Sequence, residues 1–129
     1  TPEAEARLGQ VPEGEVRGQA ITAADWFPTI LELCGIERPK VQLDGHSVLP
    51  LIQKPDSPSL HRTLHWGWGN GWAVRKGDWK LIGNGNQPRF LGSLAGEHPE
   101  AMNHLKEKPK LVQQLLQLHQ GWVEETRPR

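Results

Sequence analysis

The sequence predicts an α+β fold: a small antiparallel sheet of three to four strands with a C-terminal helix packed across it, preceded by a short strand and a helix. Three observations predict it. From Thr63 the chain runs in short stretches rich in Trp, Val, Leu and Ile, cut by Gly and Asn at turn-like spacing. After Pro109 the apolar residues recur at helical spacing. Lys54-Pro55-Asp56-Ser57-Pro58-Ser59 has linker composition and separates these elements from what precedes them. The expected organisation is therefore residues 1–55 as one part and 56–129 as a second, α+β part.

Residues 1–19 are rich in Glu, Gly, Pro and Arg and read as an irregular lead-in. Ala20 to Ala24 is a short apolar stretch suited to a strand end. Asp25 is then a plausible N-cap, because a carboxylate accepts hydrogen bonds from the free amides of a first helical turn. Pro28 fits that turn, where its missing N–H costs nothing. Phe27, Ile30, Leu31 and Cys34 follow at i, i+3, i+4 and i+7, a stripe expected to face a core. Gly35 is the expected C′ residue, and Pro39 forbids continuation. Leu43 to Ser47 reads as a turn, and Val48 to Gln53 as a short helical turn interrupted by Pro50.

In the second part, strands are expected at Thr63–Trp68, Gly71–Lys76 and Asp78–Ile82, joined by hairpin turns at Gly69-Asn70-Gly71 and Gly77-Asp78. Gly83 to Pro88 reads as a long polar loop, and Arg89–Leu91 as a short fourth strand. Glu97 to Leu105 suggests one short helix. Pro109 opens a longer one, in which Leu111, Leu115, Leu118 and Trp122, widened by Val112, Leu116 and Val123, form the buried stripe. The tail from Thr126 to Arg129 is expected to fray.

Composition narrows the functional classes. With 129 residues the chain suits a small domain able to bury roughly two-thirds of its unfolded surface. Six Trp stand beside two Phe and no Tyr; each buried Trp removes on the order of 200 Å² from water. The 15 basic and 15 acidic residues balance, and no Lys/Arg run stands out, which disfavours nucleic acid and anionic lipid as partners. No stretch approaches the ~20 apolar residues that span a bilayer. A single Cys precludes an internal disulfide. Thr1, in place of an initiator Met, is expected of a chain that begins inside a longer polypeptide.

Four segments, in order, carry a family resemblance. Asp25-Trp26-Phe27-Pro28-Thr29-Ile30-Leu31-Glu32-Leu33-Cys34-Gly35-Ile36 is similar to a D-hydrophobic-hydrophobic-P-T-L-L-x-L-A-G helix. Leu43-Asp44-Gly45-His46-Ser47-Val48-Leu49-Pro50-Leu51-Ile52 is similar to L-D-G-x-S-L-L-P-L-L. Ala73-Val74-Arg75-Lys76-Gly77-Asp78-Trp79-Lys80-Leu81-Ile82 is similar to A-V-R-x-G-x-W-K-L-I. The run from Leu94 through Pro99 to Trp122 matches a closing L-x-x-x-P-E … N-L … L … L … W segment. Together they resemble the C-terminal end of sulfatases. The family's L-Y-D-L-x-x-D-P-x-E turn is altered here to Phe90-Leu91-Gly92-Ser93-Leu94-Ala95-Gly96-Glu97, without the usual acidic residues.

The resemblance implies a large α/β domain of the alkaline-phosphatase type followed by a small α+β subdomain. Residues 20–53 would then be the last strand and helix of the large domain, and the isolated chain would self-associate or lose order before about residue 56. The family's nucleophile is a formylglycine made from a Cys or Ser in C/S-x-P/A-x-R, and calcium held by Asp and Asn oxygens binds the sulfate. These lie upstream of the matched segments. No catalytic or metal residue, and no cofactor, is therefore expected in this chain, whereas calcium is expected in the parent. The implied partners are the N-terminal catalytic domain of the same protein and a sulfated small molecule or carbohydrate. A periplasmic or extracellular location follows from the resemblance alone.

Several residues could suggest chemistry here. Cys34-Gly35-Ile36-Glu37-Arg38 has the modification spacing, but Ile36 stands where Pro, Ser or Ala is expected, and Cys34 reads as a small core hydrophobe. Asp25, Asp44, Asp56 and Asp78 are dispersed and read as cap or turn residues, not calcium ligands. The histidines at 46, 61, 65, 98, 104 and 119 lack zinc-site spacing on a helix. Asn84 and Asn86 read as turn residues. The segment from His65 to Trp72 is the most unusual. In a strand Trp66 and Trp68 share one face and His65 takes the other. Its hairpin tip is the candidate substrate contact, with His65, Trp68, Asn70 and Trp72 placed to stack on a sugar ring and bond its hydroxyls. Two rival readings follow: a non-catalytic carbohydrate-binding module using the Trp-rich hairpin, or a fragment of a related phosphatase or phosphotransferase.

Overall fold

The computed structural model describes residues 11–127. They divide into two compact units, one ending at His61 and the other beginning at Arg62.

In the first unit the lead-in is irregular from Val11 to Ile21, and the earlier residues of the expected lead-in lie outside the described ones. A single 3₁₀ turn, Ala23–Asp25, leads into helix α1, Trp26–Leu33, and later comes α2, Leu49–Gln53. The strand expected at Ala20–Ala24 is not formed. Instead the chain tightens into the 3₁₀ turn, with the Asp25 amide donating to the Thr22 carbonyl and the Thr22 amide donating to Asp25 Oδ2. That second bond also corrects the expected cap. The Asp25 carboxylate turns back toward the preceding turn and makes no capping bond into α1. The other end of α1 is as expected. Gly35 sits at φ 65°, its amide donates to Glu32 and that of Ile36 to Leu31, a Schellman closure.

The apolar stripe of α1 does not face inward. Pro28 and Thr29 are buried, whereas Trp26, Phe27 and Ile30 are each about half exposed and Cys34 is exposed. Thr29 is held inward because its hydroxyl donates to the Asp25 carbonyl and accepts from the Val48 amide. These bonds fix the helix's rotation and turn the stripe out. Pro50 does not interrupt α2; it occupies the first turn, where no intrahelical N–H is needed. The free carbonyls at the end of α2 are met by Arg17, which donates to Leu51 and Ile52.

The second unit is a four-stranded antiparallel meander in the order β1 (Leu64–Trp68), β2 (Gly71–Lys76), β3 (Trp79–Asn84), β4 (Gln87–Ser93). All three turns are two-residue hairpins, Gly69-Asn70, Gly77-Asp78 and Gly85-Asn86, with each Gly at φ 56°. The expected long loop from Gly83 to Pro88 is thus a tight turn of the same kind, and β4 is longer than Arg89–Leu91. Pro88 is tolerated because β4 is an edge strand, and a bulge at Arg89 separates the Ile82–Phe90 and Gly83–Pro88 pairs. No helix forms over Glu97–Leu105. Asn103 holds that segment as a loop: its side chain accepts from the Leu91 and Leu105 amides and donates to the Arg89 carbonyl.

Helix α3, Pro109–Thr126, packs on the sheet face that carries Trp72, Val74, Leu81 and Leu91. Leu115 completes this core, bordered by Trp79, Leu105, Leu111, Val112 and Leu116. Trp66 and Trp68 are on the opposite face and well exposed. Leu118, expected in the stripe, is exposed, and His119 takes the buried position.

Candidate functional site

Within the second unit, the tips of the β1–β2 and β3–β4 hairpins and the C-terminal half of α3 enclose a cleft of about 530 Å³. Its lining includes Gly67, Asn70, Trp72, Gly85, Asn86, His119, Gln120, Trp122, Glu124 and Arg127. The register explains the convergence. Gly67 pairs with Trp72 and Trp72 with Gly83, so the Trp72 ring crosses Gly83, where a Cβ would lie only 2.0 Å from the indole. The tips are tied together by the Gly85 amide donating to the Asn70 carbonyl at 2.7 Å, and by Trp72 Nε1 donating to the Gly85 carbonyl at 2.8 Å.

The cleft floor is a cluster of stacked rings. Trp72 lies on His119 with centroids 4.3 Å apart and planes 15° apart; Trp122 lies on His65 at 5.1 Å and 4°. The two imidazoles are 6.1 Å apart. Burial, and the neighbouring His119, push the His65 imidazole down to about 4, and burial lowers His119. Burial therefore keeps both neutral near pH 7. Each leaves a buried Nδ1 without a hydrogen-bond partner among the described residues.

Of the four residues singled out in the sequence, Asn70 and Trp72 line this cleft. His65 lies against Trp122. Trp68 occupies the opposite face, its indole across Gly71. Sequence reasoning missed His119, Gln120, Glu124 and Asn86. The signal for His119 was present: it falls at i+4 from Leu115 and at i−3 from Trp122, on the helix's apolar line.

A second polar cluster lies in the first unit. The Asp25 carboxylate, fully buried, accepts from the Thr22 and His46 amides at 2.7 and 2.8 Å and from His61 Nε2 at 2.8 Å. A carboxylate only accepts, so the proton sits on Nε2. Burial alone would raise the Asp25 carboxyl, but the His46 and Thr22 amides, with His61, hold it below its ordinary value. Gly45 lets the chain pass here, since a Cβ would lie 2.0 Å from the Ala24 carbonyl oxygen. The segment beginning at Asp25 and the segment around Asp44-Gly45-His46-Ser47 are therefore locked together by Asp25 and Thr29. Among the described residues, no group of three or more His, Cys, Asp or Glu is arranged to hold a metal ion.

The chain is 40% identical over 57 residues to arylsulfatase D of Homo sapiens, covering 43% of this chain and 10% of that protein. It is 24% identical to arylsulfatase K of Xenopus laevis over 129 aligned positions, covering 80% of this chain and 24% of that protein. The chain is sulfatase-related. Its likeness is to a sulfatase's C-terminal portion, as the four ordered segments implied. Solved structures agree in fold. The crystal structure of Ps i-CgsB superposes with a TM-score of 0.73 at 22% identity, covering 92% of this sulfatase-related chain and 27% of that one. A protein described as a sulfatase from Bacteroides thetaiotaomicron gives 0.67 at 20% identity, covering 78% and 24%. No protein-family model matches the chain. It spans between 10% and 24% of the length of these curated relatives.

Proposed function

We propose that this chain is the C-terminal subdomain of a sulfuric-ester hydrolase, completing the fold and one wall of the substrate cleft while the nucleophile and the calcium site lie elsewhere in the parent. The observation that carries this reading is the match to two arylsulfatases over only 10% and 24% of their lengths. Two features support the division of labour. The single Cys-x-x-x-Arg spacing has Ile36 at the Pro/Ala position, and Cys34 closes α1 beside Gly35 at φ 65°. The exposed Trp26, Phe27 and Ile30 form the apolar side of α1, the kind of face that a neighbouring catalytic domain would bury. The parent's substrate would be a sulfated small molecule or carbohydrate.

Hydrolysis of a chromogenic aryl sulfate with calcium, by the 129-residue chain and by the parent polypeptide, tests this reading. Activity confined to the parent is expected. Turnover by the short chain would sink it, because Cys34 or the histidines would then have to perform the chemistry.

A further inference from the structure

We propose that the cleft between the hairpin tips and α3 binds a saccharide unit. The inference goes beyond the sulfatase reading, since binding by this chain requires no ester hydrolysis and either can fail alone. The cleft volume, about 530 Å³, lies in the range of small-ligand sites. Its walls are preformed, because the two tips are hydrogen-bonded to each other and anchored by the Trp72 indole; little ordering remains to be paid on binding.

The lining chemistry selects the ligand class. Trp122 offers an indole backed by His65, a flat apolar surface suited to the C–H face of a sugar ring. Asn70, Asn86 and Gln120 supply amides, each able both to donate and to accept, as hydroxyl groups demand. Glu124 and Arg127 add one charge of each sign, so the cleft does not favour a polyanion.

Gly67 keeps the cleft open. It faces α3's side of the sheet, and a Cβ built there meets nothing within 4 Å. A Cβ at this position has room, and a longer side chain would extend from it toward the cleft, which provides a test.

The 129-residue chain, labelled with ¹⁵N, would be titrated with galactose, galactose 6-sulfate and adenosine, following amide shifts and Trp fluorescence. The expected result is a saturable response to either sugar with a Kd of about 1 mM, centred on Asn70, Asn86 and Gln120. Gly67→Leu should weaken it by at least about ten-fold with an unchanged circular dichroism spectrum. Should that variant misfold, Gln120→Ala, on an exposed helix position, should weaken binding several-fold. The proposal is overturned by no saturation up to about 50 mM sugar, by shifts centred elsewhere, by unchanged affinity in the folded variants, or by tighter binding of adenosine than of either sugar.

Discussion

Each of the two units of this molecule is stabilised internally by a different kind of force. The second has an apolar core, in which Trp72, Val74, Leu81, Leu91 and Leu115 are buried against one another. The first buries Val48, Leu49 and Leu51 but is organised by polar groups: Asp25 and Thr29 on backbone amides, Arg17 on the end of α2, Gln19 on the Pro55 and Ser57 carbonyls. Its largest apolar side chains, Trp26, Phe27 and Ile30, face out. A sheet with a helix across it can satisfy its own hydrophobic surface, while a short helix pinned by hydrogen bonds cannot. The first unit's stability should therefore depend on a few directional contacts, and the second's on volume and area.

The sharpest way to break this contrast is Asp25→Ala. It removes a fully buried acceptor and orphans the Thr22 and His46 amides and the His61 N–H. The expected loss is about 4 kcal/mol, confined to the first unit. Hydrogen exchange should show protection vanish at His46 and Val48 while β2 and β3 amides keep theirs. Uniform loss across both units would mean that they do not differ in this way. The reciprocal change, Leu115→Ala, leaves a cavity at the centre of the second unit and should cost about 3 kcal/mol. Here the sheet amides lose protection and those of the Asp25 cluster do not.

The sequence showed the second unit far better than the first, for the same physical reason. Hydrophobic periodicity records burial by area, so β1, β2 and the helix from Pro109 were legible within a residue or so. The third turn was missed because Asn84 and Gln87, flanking Gly85-Asn86, look like loop residues although they are paired strand ends. In the first unit periodicity misled. Of the stripe, Phe27, Ile30 and Cys34 face out and Leu31 is half-buried, because the helix's rotation is set by Thr29 and Asp25, polar residues that carry no periodic signal. The cleft was half legible: Asn70 and Trp72 stood out in a Trp-rich hairpin, while Gln120 and His119 are ordinary polar letters in a helix until the fold sets them against it.

Acid should separate the units more gently. His65 titrates at about 4 in the fold, and His119 is also lowered, against an ordinary value of 6.5. A base lowered by burial stabilises the fold fully above its unfolded value. As pH falls below about 6.5 the unfolded chain takes up protons that the folded one refuses, and the advantage is gone by about 4. Asp25, lowered below 3.8, keeps its contribution until more acid conditions. Between pH 7 and 4.5 the second unit should therefore lose on the order of 2 kcal/mol, seen as a falling melting temperature by circular dichroism. His65→Phe, which keeps the stack on Trp122 without a titratable ring, should flatten that slope. An unchanged slope would assign it to other groups.

The smallest effect on folding should come from the most hydrophobic change. Ile30→Ser removes a large apolar side chain, yet Ile30 is 53% exposed. The stability of the isolated chain should move by no more than about 0.5 kcal/mol. What should change is association. An apolar face of Trp26, Phe27 and Ile30 left to solvent favours self-contact, so light scattering at high concentration should report smaller particles for the variant than for the wild type. If Ile30→Ser instead unfolded the first unit, the apolar stripe would be part of its own core after all, and the contrast between a polar-locked and a hydrophobically packed unit would collapse.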